Sequence, residues 1–471
     1  MSAVDARHAA PGSRTAASPP GDEGLVRAIG LGSAVLLVIG NVIGSGIFLT
    51  TGVMANAVPS ASLLVAAWVL GGLLAIAGGL TYAEMGAMYP RSGGLYVFLK
   101  EAYGPLWAFL FGWAGLLVMV TGSVAAVAVG FATYFSYFFP SLSLAHEVLA
   151  VPVPWGVFSL RAGQLVAAGS IAILASVNYV GVRSGNALQA LMTVLKVSAL
   201  VALPLAAFAV RRVDPAFTPV LPDVPRLASS FGVAMIAVMW TYEGWYYVAF
   251  AAGEIKDPAR NVPRALVLGT LALTAIYVAA NLAYLFALSI DEMRGVERIA
   301  ERAVTALVGG AGGALVAATV AVSTFGCNAA SVIGLSRMCY AMAADGQFFR
   351  AAAAIHPRHR TPHVAILITC AWSAVLCLTG SYEQLFTYVT FAAVLFFVLG
   401  GLAVFRLRWI RPDAPRPYRT WGYPVVPAVF VVGSFVLVVN TLVERPLESL
   451  AGLALVALGI PAYWYFRRAN A

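Results

Sequence analysis

The stretch Gly40-Asn41-Val42-Ile43-Gly44-Ser45-Gly46-Ile47-Phe48 decides how this chain is read. It sits inside an apolar run beginning near residue 28, and it places three glycines, a serine and an asparagine where a plain membrane span carries leucine or valine. Glycine in a helix interior costs up to about 1 kcal/mol, and unwound backbone in hydrocarbon costs several more per unpaired group. Such a break persists only where it is buried in protein or lines a wet cavity. Small residues at this spacing also let two helices approach closely, so the motif by itself leaves packing and binding both open.

A second anomaly lies at Trp240-Thr241-Tyr242-Glu243-Gly244-Trp245, where a carboxylate stands beside a glycine and three aromatics in an otherwise apolar segment. An intramembrane carboxylate marks either a functional site or a structural partner for a nearby donor. Taken together, the two breaks are more specific than either alone. Backbone N–H groups freed at Ser45, Gly46 and Ile47 begin a half-helix whose positive end suits a carboxylate. Carbonyls freed at Val42, Trp240 and Glu243 suit an ammonium. That pair of charges fits a zwitterion.

Composition sets the context. Of 471 residues, 61% are apolar and 10% charged, too little charge for a soluble surface. A crossing needs about 20 mostly uncharged residues, and twelve such stretches are found near 28–53, 60–89, 105–138, 162–180, 187–208, 228–252, 265–289, 303–342, 363–380, 384–405, 425–443 and 449–466. Residues 1–26, with Pro11, Pro19 and Pro20 among small and charged residues, read as a disordered tail, and the run from Leu31 is too long for a signal core. The net charge of +9 does not indicate nucleic acid, because the arginines concentrate in alternate loops, most densely from Arg406 to Arg419 and at Arg467 and Arg468. By the positive-inside rule both termini are cytoplasmic in a cell (inner) membrane.

Spans 1 to 5 (27–208) and spans 6 to 10 (227–405) form two five-helix units, each opening with a glycine-broken helix. Five is odd, so the second unit runs inverted, an arrangement that places sites at the midplane between discontinuous helices. The remainder (406–471) holds an Arg/Pro-rich loop and two spans that read as an appendage.

Three stretches in order resemble the amino acid–polyamine–organocation superfamily, close to its L-type amino-acid transporter branch: GNVIGSGIF (Gly40 to Phe48), YAEMGAMYPRSGGLYVF (Tyr82 to Phe98) and WTYEGWYYVAFAAGEIKDPARNVPRA (Trp240 to Ala265). The resemblance implies an all-α, LeuT-like fold of twelve transmembrane helices with broken helices 1 and 6 in a 5+5 inverted repeat, followed by two C-terminal helices. It implies substrate carboxylate on the backbone of Ser45 and Gly46, ammonium on the carbonyls of Val42, Trp240 and Glu243, and Trp240 as an aromatic gate. Asn328 falls where the L-type branch senses the side chain, and an interhelical hydrogen bond is its alternative. The substrate-binding set is therefore Val42, Ile43, Ser45, Gly46, Ile47, Trp240, Thr241, Glu243 and Asn328, with Trp240, Lys196 and Glu84 in gating or coupling.

Lys196, one of three lysines, lies mid-span in LMTVLKVSALVAL, where a charge costs about 3 kcal/mol on insertion scales. In the resembled family a lysine here contacts the broken first helix where sodium-coupled relatives hold their ion, which argues against sodium coupling. Glu84 and the Glu254, Lys256, Asp257 and Arg260 cluster lie near cytoplasmic helix ends, as ion pairs latching an inner gate or as solvated loop, with proton handling the alternative for Glu84.

The resulting expectation is a sodium-independent amino-acid permease or exchanger working by alternating access. Proton-coupled symport of amino acids or polyamines and a non-transporting sensor are the alternatives. An enzyme is unpersuasive, because His356, His359 and His363 cluster in a loop, with neither a metal site nor a cofactor called for, and no channel-like polar lining is visible. The four cysteines (Cys327, Cys339, Cys370, Cys377) read as core residues. Residues 139–161 contain no cysteine, so no disulfide-linked heavy subunit is expected. Glu243, at a place often small or Asp in the family, leaves cationic substrates open beside bulky apolar ones.

Overall fold

The computed structural model describes residues 27–90, 93–153, 156–180, 185–215, 217 and 224–469. The tail at 1–26, and Arg91 and Ser92 of the second signature, lie outside the described residues. In chain order, α1 (Leu31–Val42) and α2 (Gly46–Ala57) are followed by α3 (Ala61–Met88), α4 (Gly94–Tyr103), α5 (Pro105–Ala114), a five-residue π turn (Gly115–Met119) and α6 (Val120–Phe135). An antiparallel hairpin, β1 (Glu147–Val153) and β2 (Gly156–Arg161), leads to α7 (Ala162–Val180), α8 (Gly185–Val210) and α9 (Val224–Tyr242). A 3₁₀ segment (Trp245–Glu254) then precedes α10 (Pro258–Ala287), α11 (Ile290–Met293), α12 (Ile299–Val308) and α13 (Gly310–Ala344). The chain closes with α14 (His363–Thr379), α15 (Tyr382–Ile410), α16 (Val425–Glu444), α17 (Pro446–Ala457) and α18 (Gly459–Ala469).

Among the described residues, eight helices are long and apolar enough to cross a membrane, and the α1–α2 pair, bent by 46°, makes a ninth. Local chemistry sets many of the boundaries. Ser289 with Glu292 and Ser381 with Gln384 form capping boxes at the starts of α11 and α15. Pro105, Pro258 and Pro446 open their helices at the position where a missing N–H costs nothing.

The structure differs from the sequence expectation in three places. The apolar run 303–342 is not one helix, because Gly309, at φ 87°, turns the chain between α12 and α13. Helix α12 instead buries Ile299, Ala300, Ala303 and Leu307 along one face, the spacing of a helix lying on the bundle. The second half of the 228–252 stretch is 3₁₀ rather than α. A two-stranded hairpin interrupts the all-helical pattern between α6 and α7. The first of the two terminal spans packs into the bundle: Phe430 of α16 is fully buried, with its ring centroid 5.8 Å from Tyr82 and 6.2 Å from Trp245.

On the side where α8 ends and α11 begins, Arg212 donates to both carboxylate oxygens of Glu292 at 3.0 and 3.2 Å. That guanidinium, helped by the Ser289 N–H, holds the Glu292 carboxyl down at about 2. At the opposite end, the backbone of Ile29 pairs with Glu254 and Lys256 in a short parallel bridge. The side chains of Glu254, Lys256, Asp257 and Arg260 are exposed there and make no ion pair among the described residues.

Candidate functional site

The first break forms because Ile43 leaves helical geometry at ψ 87° and Gly44 closes a tight turn, its N–H donating to the Val42 carbonyl at 2.8 Å. Helix α2 restarts from Ser45, and its first inward bond is Phe48 N–H to the Ser45 carbonyl at 3.1 Å. The N–H groups of Ser45, Gly46 and Ile47 have no backbone acceptor among the described residues. Ser45 is 1% exposed and Ile47 fully buried, so these donors point into protein at the positive end of a half-helix.

The second break stands directly against the first. Gly244 sits at φ 106°, which only glycine adopts without strain. A Cβ there would lie 3.3 Å from the Asn41 carbonyl oxygen. On the other side of the site, a Cβ on Gly46 would lie 2.6 Å from Thr241 Oγ1 and 3.0 Å from Thr241 Cα. Gly46 therefore sets how closely α2 and α9 meet, and Gly244 how closely the second break approaches the end of α1. Thr50 Oγ1 approaches Thr241 Oγ1 at 3.1 Å across the same seam.

Tyrosines from three other helices hold the broken segments. Tyr277 of α10 places its hydroxyl 3.1 Å from the Val42 carbonyl and 3.2 Å from that of Thr241, bridging both breaks. Tyr284 donates to the Ile47 carbonyl at 3.1 Å, and Tyr134 of α6 to that of Phe48 at 2.7 Å. Tyr382, at the start of α15, accepts the Trp240 indole N–H at 2.9 Å and lies 3.1 Å from Ser45 Oγ. Trp240 is thereby tied to the first break, and its ring stacks on Phe386 at 6.2 Å and 20°.

The carbonyls expected to meet an ammonium are already partly engaged. Val42 accepts from Gly44 and Tyr277, and the Trp240 carbonyl accepts the Glu243 N–H at 3.1 Å. Each carbonyl has two lone pairs, so the Trp240 oxygen keeps one. The Glu243 carboxylate receives the Tyr246 hydroxyl at 2.7 Å and has no cationic partner among the described residues.

Lys196 of α8 is 4% exposed, and its ammonium donates to the Gly40 carbonyl at 2.9 Å and the Ile43 carbonyl at 2.5 Å. These are the carbonyls that the end of α1 would otherwise leave unpaired. Asn328 of α13 is 1% exposed; its amide N–H donates to the Val124 carbonyl at 3.0 Å, while its amide oxygen has no partner. The interhelical bond is thus made, and one acceptor is left over.

Glu84 lies away from the two breaks, near the end of α3. Arg408 of α15 grips it with Nε at 2.9 Å and Nη2 at 2.6 Å, Arg416 lies 3.3 Å away, and the Thr420 N–H donates at 2.7 Å. The carboxylate is 1% exposed and is a hub joining α3, α15 and the loop before α16. His356, His359 and His363 pack their rings around Tyr179 at 5.3 to 5.9 Å, and no metal-binding group of His, Cys, Asp or Glu occurs among the described residues.

Sequence reading missed Tyr277, Tyr284, Tyr134 and Tyr382. A tyrosine in an apolar span looks like core, and the one available signal is its phenol, which must find a partner when buried. Arg408 was equally hidden, standing 324 residues from Glu84.

A model of the amino acid permease family matches residues 29–460. The serine/threonine exchanger SteT of Bacillus subtilis (strain 168) is 32% identical over 459 residues, covering 96% of this chain and 99% of that protein. The human Asc-type amino acid transporter 1 is 30% identical, covering 93% of this chain and 82% of its own length. The human large neutral amino acids transporter small subunit 2 is 31% identical, with 95% and 82% covered. With the match spanning both helix breaks and nearly every helix of the bundle, the chain belongs to the amino acid permease family.

Proposed function

We propose that the protein is a sodium-independent amino-acid exchanger of the cell (inner) membrane that binds the zwitterionic part of its substrate between the two helix breaks. The carrying observation is the row of Ser45, Gly46 and Ile47 N–H groups without a backbone acceptor in a buried break. Nothing in hydrocarbon would solvate them, whereas a substrate carboxylate would accept from all three. The ammonium then meets the Trp240 carbonyl and the Glu243 carbonyl, and Val42, Ile43 and Thr241 shape the wall. Trp240, held by Tyr382, covers the site from outside. The open amide oxygen of Asn328 reads the substrate side chain. Since the relative with the highest identity cited above is a serine/threonine exchanger, small hydroxylated amino acids are the first substrates to try.

Lys196 supports sodium independence. Its tethered ammonium supplies a fixed positive charge against the broken first helix, leaving no need for a mobile cation there. Adding α8, the α9 and 3₁₀ pair, and α14 to the nine crossings of sufficient length and apolarity gives twelve. This suits a 5+5 inverted repeat with two further helices and both termini on the cytoplasmic side, where Arg467 and Arg468 lie. No heavy subunit is disulfide-linked at 139–161, which lacks cysteine. Alternating access follows: the zwitterion draws the half-helices together, and the closed bundle reopens on the other side, with Glu84 and its arginines as part of the inner latch.

The test is thermal stabilisation of the purified protein. An amino acid at 100 times its dissociation constant raises stability by about 2.7 kcal/mol. The corresponding amide and the N-acetyl derivative, each lacking one charge, are expected to give no shift. Equal shifts from all three would reject recognition of both charged ends.

A further inference from the structure

On the outside of the bundle a groove of about 410 Å³ opens between α5, the π turn, the end of α13 and α14. That volume lies within the range of sites that hold small ligands. Its walls are Trp113, Leu117, Cys339, Phe349, Ile368 and Trp372. Their polar atoms are already spent inside the protein. The Trp372 indole N–H donates to the Leu117 carbonyl of the π turn at 2.8 Å, and the Trp113 indole N–H to the Leu455 carbonyl at 3.0 Å. Thr369, also in the wall, donates its hydroxyl to the Ala365 carbonyl at 2.7 Å. What remains to face an occupant is hydrocarbon, aromatic ring and one buried thiol.

The groove is open along one side, where Phe349 is 56%, Ile368 39% and Val375 46% exposed. From Ile368 to Val375 it climbs α14 for about 10 Å at 1.5 Å per residue, comparable with one leaflet of a hydrocarbon core roughly 30 Å thick. Its floor, Phe348 and Phe349, lies in the connection between α13 and α14. That end is basic. Arg350 follows Phe349 directly, and Phe466 of α18, next to Arg467 and Arg468, has its ring 5.4 Å from Phe349 and 6.2 Å from Phe348. All three arginines are exposed, and the acidic residue beside them in the same connection is Asp345.

We propose that this groove binds an anionic phospholipid, one acyl chain lying against Trp113, Ile368 and Trp372 and the phosphate meeting Arg350, Arg467 and Arg468. A dry apolar trough ending in a cluster of cations is complementary to a molecule with a hydrocarbon chain and an anionic head. A zwitterionic lipid fills the trough equally well but brings its own cation to the basic end, so its net attraction there is smaller.

Native mass spectrometry of the full-length protein in detergent, titrated with phosphatidylglycerol or with phosphatidylcholine of the same chains, tests this. The expected result is tighter binding of phosphatidylglycerol. At about 1 kcal/mol per arginine near the head group, the double variant R467Q/R468Q should bind it about 30-fold more weakly, with phosphatidylcholine weakened much less. V375W, which adds bulk to the exposed wall, should weaken both lipids. Equal affinity of the wild type for the two lipids, or unchanged phosphatidylglycerol binding in R467Q/R468Q, would overturn the proposal. Unchanged binding in V375W would overturn the groove as the site. If V375W cannot be purified, the exposed arginine pair alone decides.

Discussion

Replacing Lys196 by alanine removes two charge-assisted hydrogen bonds, to the carbonyls of Gly40 and Ile43. Bonds to a charged group contribute about 1.5–3 kcal/mol each. Against this stands about 3 kcal/mol no longer needed to hold a charge at mid-membrane depth, so the two effects largely cancel in global stability and the variant should insert and purify. The local balance is different. The Gly40 and Ile43 carbonyls lose their partner in a buried break, at about 1–3 kcal/mol apiece. Even 2 kcal/mol of that penalty makes the binding-ready geometry about 30-fold rarer, and apparent affinity falls by the same factor. The assay is counterflow of labelled serine into proteoliposomes containing equal amounts of each protein. K196A is expected to show at least a 30-fold higher KM at an unchanged melting profile. Wild-type exchange by K196A would refute the bracing role, and so would aggregation of a variant that keeps its serine affinity.

Three further outcomes follow from the same geometry. G46A puts a methyl group 2.6 Å from Thr241 Oγ1; overpacking of about 1–3 kcal/mol should cut exchange tenfold or more, and undiminished exchange would show that the α2–α9 seam does not close on substrate. Y382F removes the hydroxyl shared by Trp240 and Ser45. At about 1 kcal/mol for a net hydrogen bond, KM should rise about fivefold with little change in maximal rate, and a fall in rate alone would place Tyr382 in a later step. E84Q leaves Arg408 and Arg416 facing a neutral amide. Breaking a buried ion pair costs about 3–5 kcal/mol, so this variant should show the largest drop in melting temperature of the four, and an unshifted melt would rule out Glu84 as the hub of the inner latch.

What could be read from the sequence and what could not divide along a physical line. Gly44, Gly46 and Gly244 stand out because glycine is out of place in a span, and Lys196 and Glu243 because charge is; single-residue anomalies need no partner to be seen. The boundary at Gly309 was invisible because the second half of α12, with Ala303, Val304, Ala306 and Leu307, runs without a charged residue into the span it precedes. Its amphipathic face becomes apparent only when it lies on the bundle. The tyrosine staples and the Glu84–Arg408 pair were hidden because each is a meeting of residues far apart in sequence. Phe430 showed the same effect at the scale of a helix: nothing in 425–443 announces that its ring packs beside Tyr82 and Trp245.

The central claim, exchange of a zwitterion without sodium, is tested most directly by counterflow of labelled serine into proteoliposomes loaded with unlabelled serine, with sodium replaced by choline on both sides. The account predicts rapid uptake that depends on the internal amino acid and is unchanged when sodium is restored. Uptake that requires sodium, or that proceeds equally well into empty vesicles, would contradict it.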